Sequence, residues 1–150
     1  YWSVDTIRRW RNGGKFDGKM LTEDQKHIHS IYQRILTLCN KEKAITEGEF
    51  FDLMYANANG WRFNEHKQYT FLRKAGKELL FIIVNFDHIS VDVAINVPSH
   101  AFDFLQIPQM DVYPAVDLLT GKTESISLLP YKATEISVEG YSGKILKIKL

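Results

Sequence analysis

The sequence predicts a mainly β protein, an antiparallel β-sandwich of about eight strands preceded by one or two α-helices. Three observations carry this. Before residue 41 the apolar residues recur with a helical period. After it they fall into short segments separated by Gly, Pro, Asn and Asp, spaced as in a sandwich or barrel. There is no alternation of strand and helix, no internal repeat and no low-complexity linker.

The first element is a short helix within residues 1–14. Ser3 is placed to cap it, Asp5 lies in its first turn, and Val4, Ile7 and Trp10 follow helical spacing. Arg8, Arg9 and Arg11 sit where a helix C-terminus favours cations, and Gly13-Gly14 ends it. These arginines read as a solvated helix end rather than a nucleic-acid patch. A loop marked by Asp17-Gly18 follows.

Thr22 and Gln25 then form a capping box. Behind it Ile28, Ile31, Tyr32, Ile35, Leu38 and Cys39 make one apolar stripe, which predicts a helix over Glu23–Asn40. His27 and His29 are two residues apart and point to different sides of that helix, so they do not form a metal pair. Cys39 belongs to the stripe.

The period changes to two after Lys43, and the domain division is expected at 1–46 and 47–150. Strands are expected over Glu49–Ala56, Gln68–Lys74, Leu79–Phe86, Val91–Val97, Val112–Leu119, Ser125–Leu129, Ala133–Val138 and Lys144–Leu150. Leu79–Phe86 opens with six apolar residues, and Asn85 is its only polar one, the pattern of a strand buried on both faces. It is expected at the centre of the sandwich, between Gln68–Lys74 and Val91–Val97. Ser99–Gln109 has no clear period. Pro114 is expected to place its strand at an edge or bulge, and the lysines of the last strand to face solvent and discourage edge pairing.

Composition excludes more than it assigns. Hydrophobic residues make up 45% and charged residues 25%, ordinary globular values. Nineteen basic and 18 acidic residues give a net charge of +1, so no global field draws nucleic acid or anionic lipid. The single cysteine forms no internal disulfide or cysteine metal cluster. No apolar run approaches the roughly 20 residues that span a bilayer, and no membrane partner is expected. The chain begins at Tyr1, which is expected of a processed product or an excised piece.

No self-contained active site is legible. There is no nucleophile elbow, phosphate-binding glycine loop or zinc motif, and no cofactor or metal is expected. Glu47, Glu49 and Asp87 are candidates for glycoside chemistry by residue type alone. Asn85-Phe86-Asp87-His88 looks like a site but reads as an ordinary turn after a strand. The binding candidates are aromatic. Trp61 and Phe63, in an Asn/Gly-rich loop, could stack on a sugar ring or fold back onto the sandwich.

The order of these pieces resembles the C-terminal end of the alpha-amylase family of glycoside hydrolases. The residues that carry it are Asn12-Gly13-Gly14-Lys15-Phe16-Asp17-Gly18, then Leu21-Thr22 with Gln25, then Ile31-Tyr32-Gln33-Arg34 with Leu36 and Leu38. Ile45, Gly48 and Phe50 resemble the lead-in to that family's sandwich. Phe71-Leu72-Arg73 and Leu79–Phe86 resemble its paired central strands, and Asp117–Lys122 and Leu128–Tyr131 its last hairpin. Cys39-Asn40 departs from the pattern, where the family often has an arginine.

The resemblance implies the last helix of a catalytic (β/α)8 barrel followed by an accessory sandwich. It implies a parent acting on α-glucans, with the barrel as this chain's partner and an extracytoplasmic place compatible with that chemistry. The family's catalytic carboxylates lie on barrel strands, and their motifs are absent here, so the chain alone is expected to be inert. Two alternatives stand beside this: a carbohydrate-binding module using Trp61 and Phe63, and a protein-interaction sandwich.

Overall fold

The computed structural model describes residues 3–150, so the first two residues of the expected helical segment lie outside it. The described chain forms two compact units, one ending at Leu38 and one running Cys39–Leu150.

The first unit is helical. Helix α1 spans Val4–Arg11, with Ser3 at its N-cap position but no side-chain capping bond, and Asn12 ends it in the left-handed region. A 3-10 turn follows over Asn12–Gly14. Helix α2 spans Glu23–Lys41. Its capping box forms as the sequence requires: Gln25 N–H donates to Thr22 Oγ1 at 3.3 Å, and Thr22 N–H donates to Gln25 Oε1 at 3.0 Å.

The second unit is an antiparallel sandwich of eight strands in two sheets. In chain order its elements are α3 (Lys43–Thr46), β1 (Glu49–Asp52), α4 (Met54–Asn57), β2 (Gln68–Ala75), β3 (Glu78–Asn85), β4 (Val91–Ile95), α5 (Ser99–Leu105), β5 (Met110–Asp117), β6 (Thr123–Leu128), β7 (Thr134–Val138) and β8 (Ser142–Lys149). The large sheet has the order β1-β2-β3-β8-β5-β6, and β4 pairs with β7 in the small one.

β3 is buried on both faces, as its composition demands. Leu79, Phe81 and Ile83 point inward. They meet Val93, Ile95, Ile136 and Val138 of the small sheet, together with Leu146 and Ile148 of β8. Leu80 and Ile82 point outward into a second cluster with Ala44, Ile45, Phe71, Val84 and Ile145. Each fully buried side chain of this size contributes roughly 1.5–3 kcal/mol.

Four sequence expectations change here. First, β3 pairs with β2 and β8, not with Val91–Val97. That segment crosses to the small sheet, because the connection after Asn85 is tied to the β7–β8 turn. Second, β1 stops at Asp52 instead of reaching Ala56. The Asp52 carboxylate accepts the Met54 N–H at 3.0 Å and starts α4, a local bond that competes with strand continuation.

Third, of the two places expected for Pro114, an edge or a bulge, the edge fails, because β5 is an interior strand with an irregularity in its pairing just before Tyr113. The β5–β8 pairing begins only at Ala115, so the missing N–H interrupts no bond to β8. Fourth, the lysines of β8 are not edge residues, since β8 lies between β3 and β5. Lys147 reaches Glu42 at 2.7 Å and Glu78 at 3.2 Å, and Lys144 reaches Glu124 at 2.8 Å. The Glu42 hydrogen bond raises the Lys147 pKa above its ordinary value.

Arg73 fastens α3 to the outer face of β2. Its Nε donates to Ala44 O at 2.9 Å, and its Nη2 donates to Ile45 O at 2.7 Å and Gly48 O at 2.8 Å. Gly48 permits this approach, because a Cβ there would collide with the Ala44 carbonyl oxygen. Replacing Arg73 with Ala leaves the end of α3 without these donors. Urea unfolding of Arg73→Ala is expected to show a loss of about 2–3 kcal/mol. A loss under about 0.5 kcal/mol, the size of an ordinary surface change, would contradict this role for the guanidinium.

Candidate functional site

The loop between α4 and β2 carries both aromatic candidates. It is built on Asn57, which is fully buried. The Asn57 side-chain amide donates to Leu53 O at 2.8 Å and Asn96 O at 3.0 Å, and its oxygen accepts the Asn96 N–H at 2.8 Å. One side chain thus bonds the backbone past β4 as a short strand would. Gly60 N–H donates to Asn57 O at 2.9 Å, and a Cβ on Gly60 would crowd that same oxygen.

The two rings are not brought together. Trp61 is 69% exposed, whereas Phe63 is 5% exposed and belongs to the main core. Between them Arg62 takes a left-handed backbone, φ 57°. That reverses the ordinary strand rule by which residues two apart share a side. The Arg62 guanidinium lies 5.0 Å from the centre of the Trp61 ring. It also donates to Asp92 O at 3.0 Å and approaches Glu135 at 3.3 Å, which ties the loop to both strands of the small sheet. Trp61 therefore presents one ring on a braced loop, and Phe63 supports that loop from below.

Within Asn85-Phe86-Asp87-His88, Asn85 and Asp87 form a buried polar junction, while Phe86 and His88 are exposed. Asn85 donates to Ile89 O at 2.8 Å and Glu139 O at 3.1 Å. Its oxygen accepts Gln68 Nε2 at 3.1 Å and the Asp87 N–H at 3.0 Å. Gln68 in turn accepts the Asn64 N–H at 2.8 Å. The Asp87 carboxylate accepts Lys67 Nζ at 2.7 Å and the His88 N–H at 2.8 Å, and it meets His88 Nδ1 at 2.9 Å. Lys67 holds the Asp87 carboxyl below the usual aspartate range against the opposing effect of desolvation. Both oxygens of Asp87 are committed to these partners, which is the chemistry of a structural joint rather than a general acid.

One surface cluster had no sequence signal. Phe51, Tyr55, His100 and Phe104 assemble over the open edge of β1, with the Phe51 ring 5.3 Å from His100 and 5.9 Å from Phe104. Tyr55 and His100 are hydrogen bonded. Only the folding of α5 beside β1 makes these residues neighbours. Among the described residues, no group of three His, Cys, Asp or Glu side chains is placed to hold a metal ion, and no helix is long and apolar enough to cross a membrane.

No family model and no curated protein matches this chain. Solved structures do. A maltogenic alpha-amylase from Thermotoga neapolitana matches at 15% identity and TM-score 0.63, over 88% of this chain and 27% of its own. An alpha-amylase from Anoxybacillus matches at 13% identity and TM-score 0.56, over 91% of this chain and 25% of its own. AmyP, solved with maltose, matches at 22% identity and TM-score 0.59, over 88% of this chain and 23% of its own. The chain has the helix-and-sandwich fold found in alpha-amylase family glycoside hydrolases, the family that the sequence resembles. It spans about a quarter of the length of these structures.

The lowered pKa of Asp87 has a sign that can be tested. Its contribution to stability is complete above the unfolded value near ~3.9 and is lost as pH falls through the lower folded value. Asp87→Asn is therefore expected to lower the urea midpoint at neutral pH and to approach the parent chain in acid. A stability difference that stays constant from neutral pH down through this window would contradict the ion pair's role.

Proposed function

We propose that this chain is the non-catalytic accessory sandwich, with the preceding helical segment, of an alpha-amylase-like glycoside hydrolase acting on α-glucans. Its work is to pack on and stabilise a catalytic (β/α)8 barrel carried by the same parent chain. In this reading the helical segment of residues 1–46 ends the barrel and residues 47–150 form the C-terminal domain, with α3 at the junction packed on the sandwich.

The observation that carries the reading is the outer face of the large sheet. A free-standing sandwich turns polar residues outward on each sheet. Here the outward positions include the partly exposed Phe50, Tyr69, Phe71, Val84 and Ile145, beside Ile82, which is already buried in the α3 cluster. Phe50 stacks on Phe71 at 5.4 Å and Tyr69 on Phe71 at 5.7 Å, yet Phe50 remains 47% exposed. A contiguous apolar face of this kind marks an interaction surface. The apolar stripe of α2 gives the same signal, with Ile28, Ile31, Tyr32 and Ile35 all exposed. The amylase likenesses, each covering only part of a longer chain, support the same division of labour.

A second reading, a carbohydrate-binding module, is favoured by one observation, the exposed and braced ring of Trp61. Two assays separate the readings. Incubated with soluble starch, the 150-residue chain is expected to release no reducing ends, and measurable turnover would overturn the accessory role. In affinity electrophoresis through starch, a retarded chain whose mobility returns to that of the unbound protein in Trp61→Ala would favour the module. Mobility unchanged by that substitution would remove Trp61 as its platform.

A further inference from the structure

The turn that opens the Trp61 loop brings together two residues that can react with each other. Residues 57–60 form a type II turn. Ala58 has φ −57° and ψ 127°, Asn59 has φ 58°, and Gly60 N–H donates to Asn57 O at 2.9 Å. The third position of such a turn requires a positive φ, which asparagine tolerates better than most side chains. The fourth position has no room for a side chain, because a Cβ on Gly60 would lie 2.8 Å from the Asn57 carbonyl oxygen. The turn therefore selects Asn-Gly, and in that dipeptide no side chain shields the glycine nitrogen from the amide before it.

Asn59 is exposed, and its side-chain amide has no hydrogen-bond partner among the described residues. Its main-chain N–H alone is held, by Glu65 Oε2 at 3.2 Å. Two other asparagines differ. Asn57 is fully buried, with its amide committed to Leu53 O, Asn96 O and the Asn96 N–H. Asn12 also precedes a glycine, but its Nδ2 donates to Asp17 Oδ1 at 2.6 Å and its main-chain N–H to Arg8 O. A carboxylate in place of that amide would face Asp17 directly.

We propose that Asn59 is a site of spontaneous deamidation, and that the modification loosens the Trp61 loop. The Gly60 nitrogen attacks Asn59 Cγ and forms the new N–C bond. The Cγ–Nδ2 bond breaks, ammonia leaves with the Gly60 proton, and a cyclic imide remains. Water then opens the imide at either carbonyl, which leaves an aspartate or an isoaspartate at position 59. Ring closure must first release Gly60 N–H from Asn57 O, a single neutral bond that slows it about fivefold. At Asn12 the bond to be released is charge-assisted, and the delay is about fivefold greater.

Either product puts a carboxylate beside Glu65. Glu65 is itself ionised, since its own N–H and that of Asn59 hold its carboxyl below the usual glutamate range. An isoaspartate also adds a methylene to the main chain, which breaks the fit of Gly60 N–H to Asn57 O. The turn opens, and Trp61 and Arg62 lose their support on that side. None of this chemistry depends on the accessory role proposed above.

The test is peptide mapping by mass spectrometry of the whole 150-residue chain after incubation at mildly alkaline pH. Asn59 is expected to convert about fivefold faster than Asn12, with Asn57 unchanged. In guanidinium chloride Asn12 and Asn59 should react alike, since both precede glycine. Trypsin should cut after Arg62 faster in the incubated chain than in the fresh one. Asn59→Gly keeps the left-handed turn without the amide, and should be cut equally before and after incubation. Equal or faster conversion of Asn12 in the folded chain would overturn the site, as would a preference for Asn59 that survives in guanidinium chloride. A deamidated chain cut no faster than the fresh one would overturn the loosening of the loop.

Discussion

The fold depends on one constraint: β3 is apolar on both faces, so two different things must cover it. Inward, the small sheet supplies Val93, Ile95, Ile136 and Val138 against Leu79, Phe81 and Ile83. Outward, the short helix α3 brings Ala44 and Ile45 over Leu80 and Ile82. A helix of four residues has little stability of its own. Arg73 compensates by donating to carbonyls at and beyond its end, and the Glu42–Lys147 pair secures its start to β8. Beyond the reach of α3 the outer face stays apolar, and the aromatic row Phe50–Phe71–Tyr69 meets water at its margin.

A sandwich must also hold its two sheets in register, and here buried amides do so. Asn57 bonds backbone next to β4, and Asn85 bonds backbone at the end of β7. Each amide has its donors and its acceptor satisfied, so burial adds stiffness without an unpaired group. The same logic turns Asn85–His88 from an apparent site into a joint. Asp87 is ionised because Lys67 and His88 need it, and Gly140 lets the β7–β8 turn approach the His88 carbonyl more closely than any side chain would allow.

Local signals were legible in the sequence and non-local ones were not. The capping box of α2 and the two-sided burial of β3 follow from neighbours within a few residues. The pairing of β3 with β8 joins segments some sixty residues apart, and no local pattern encodes it. Pro114 marked an edge or a bulge without deciding between them, because its missing N–H matters only where a partner lies alongside, and that depends on where β8 ends. Trp61 and Phe63 are two residues apart, which in a strand puts both side chains on one side. The left-handed turn at Arg62 cancels it, and a positive φ on arginine has no composition signature.

The central claim is that the outer face of the large sheet is shaped for the rest of a longer chain. Comparing the melting temperature change of Phe50→Glu in this chain and in its longer parent tests it most directly. The ring is about half exposed here, so the isolated chain should lose little, within the range of ordinary surface changes. Buried against a barrel, the same carboxylate would be desolvated without a partner, and the parent should melt several degrees lower. Equal shifts in the two proteins would contradict the claim.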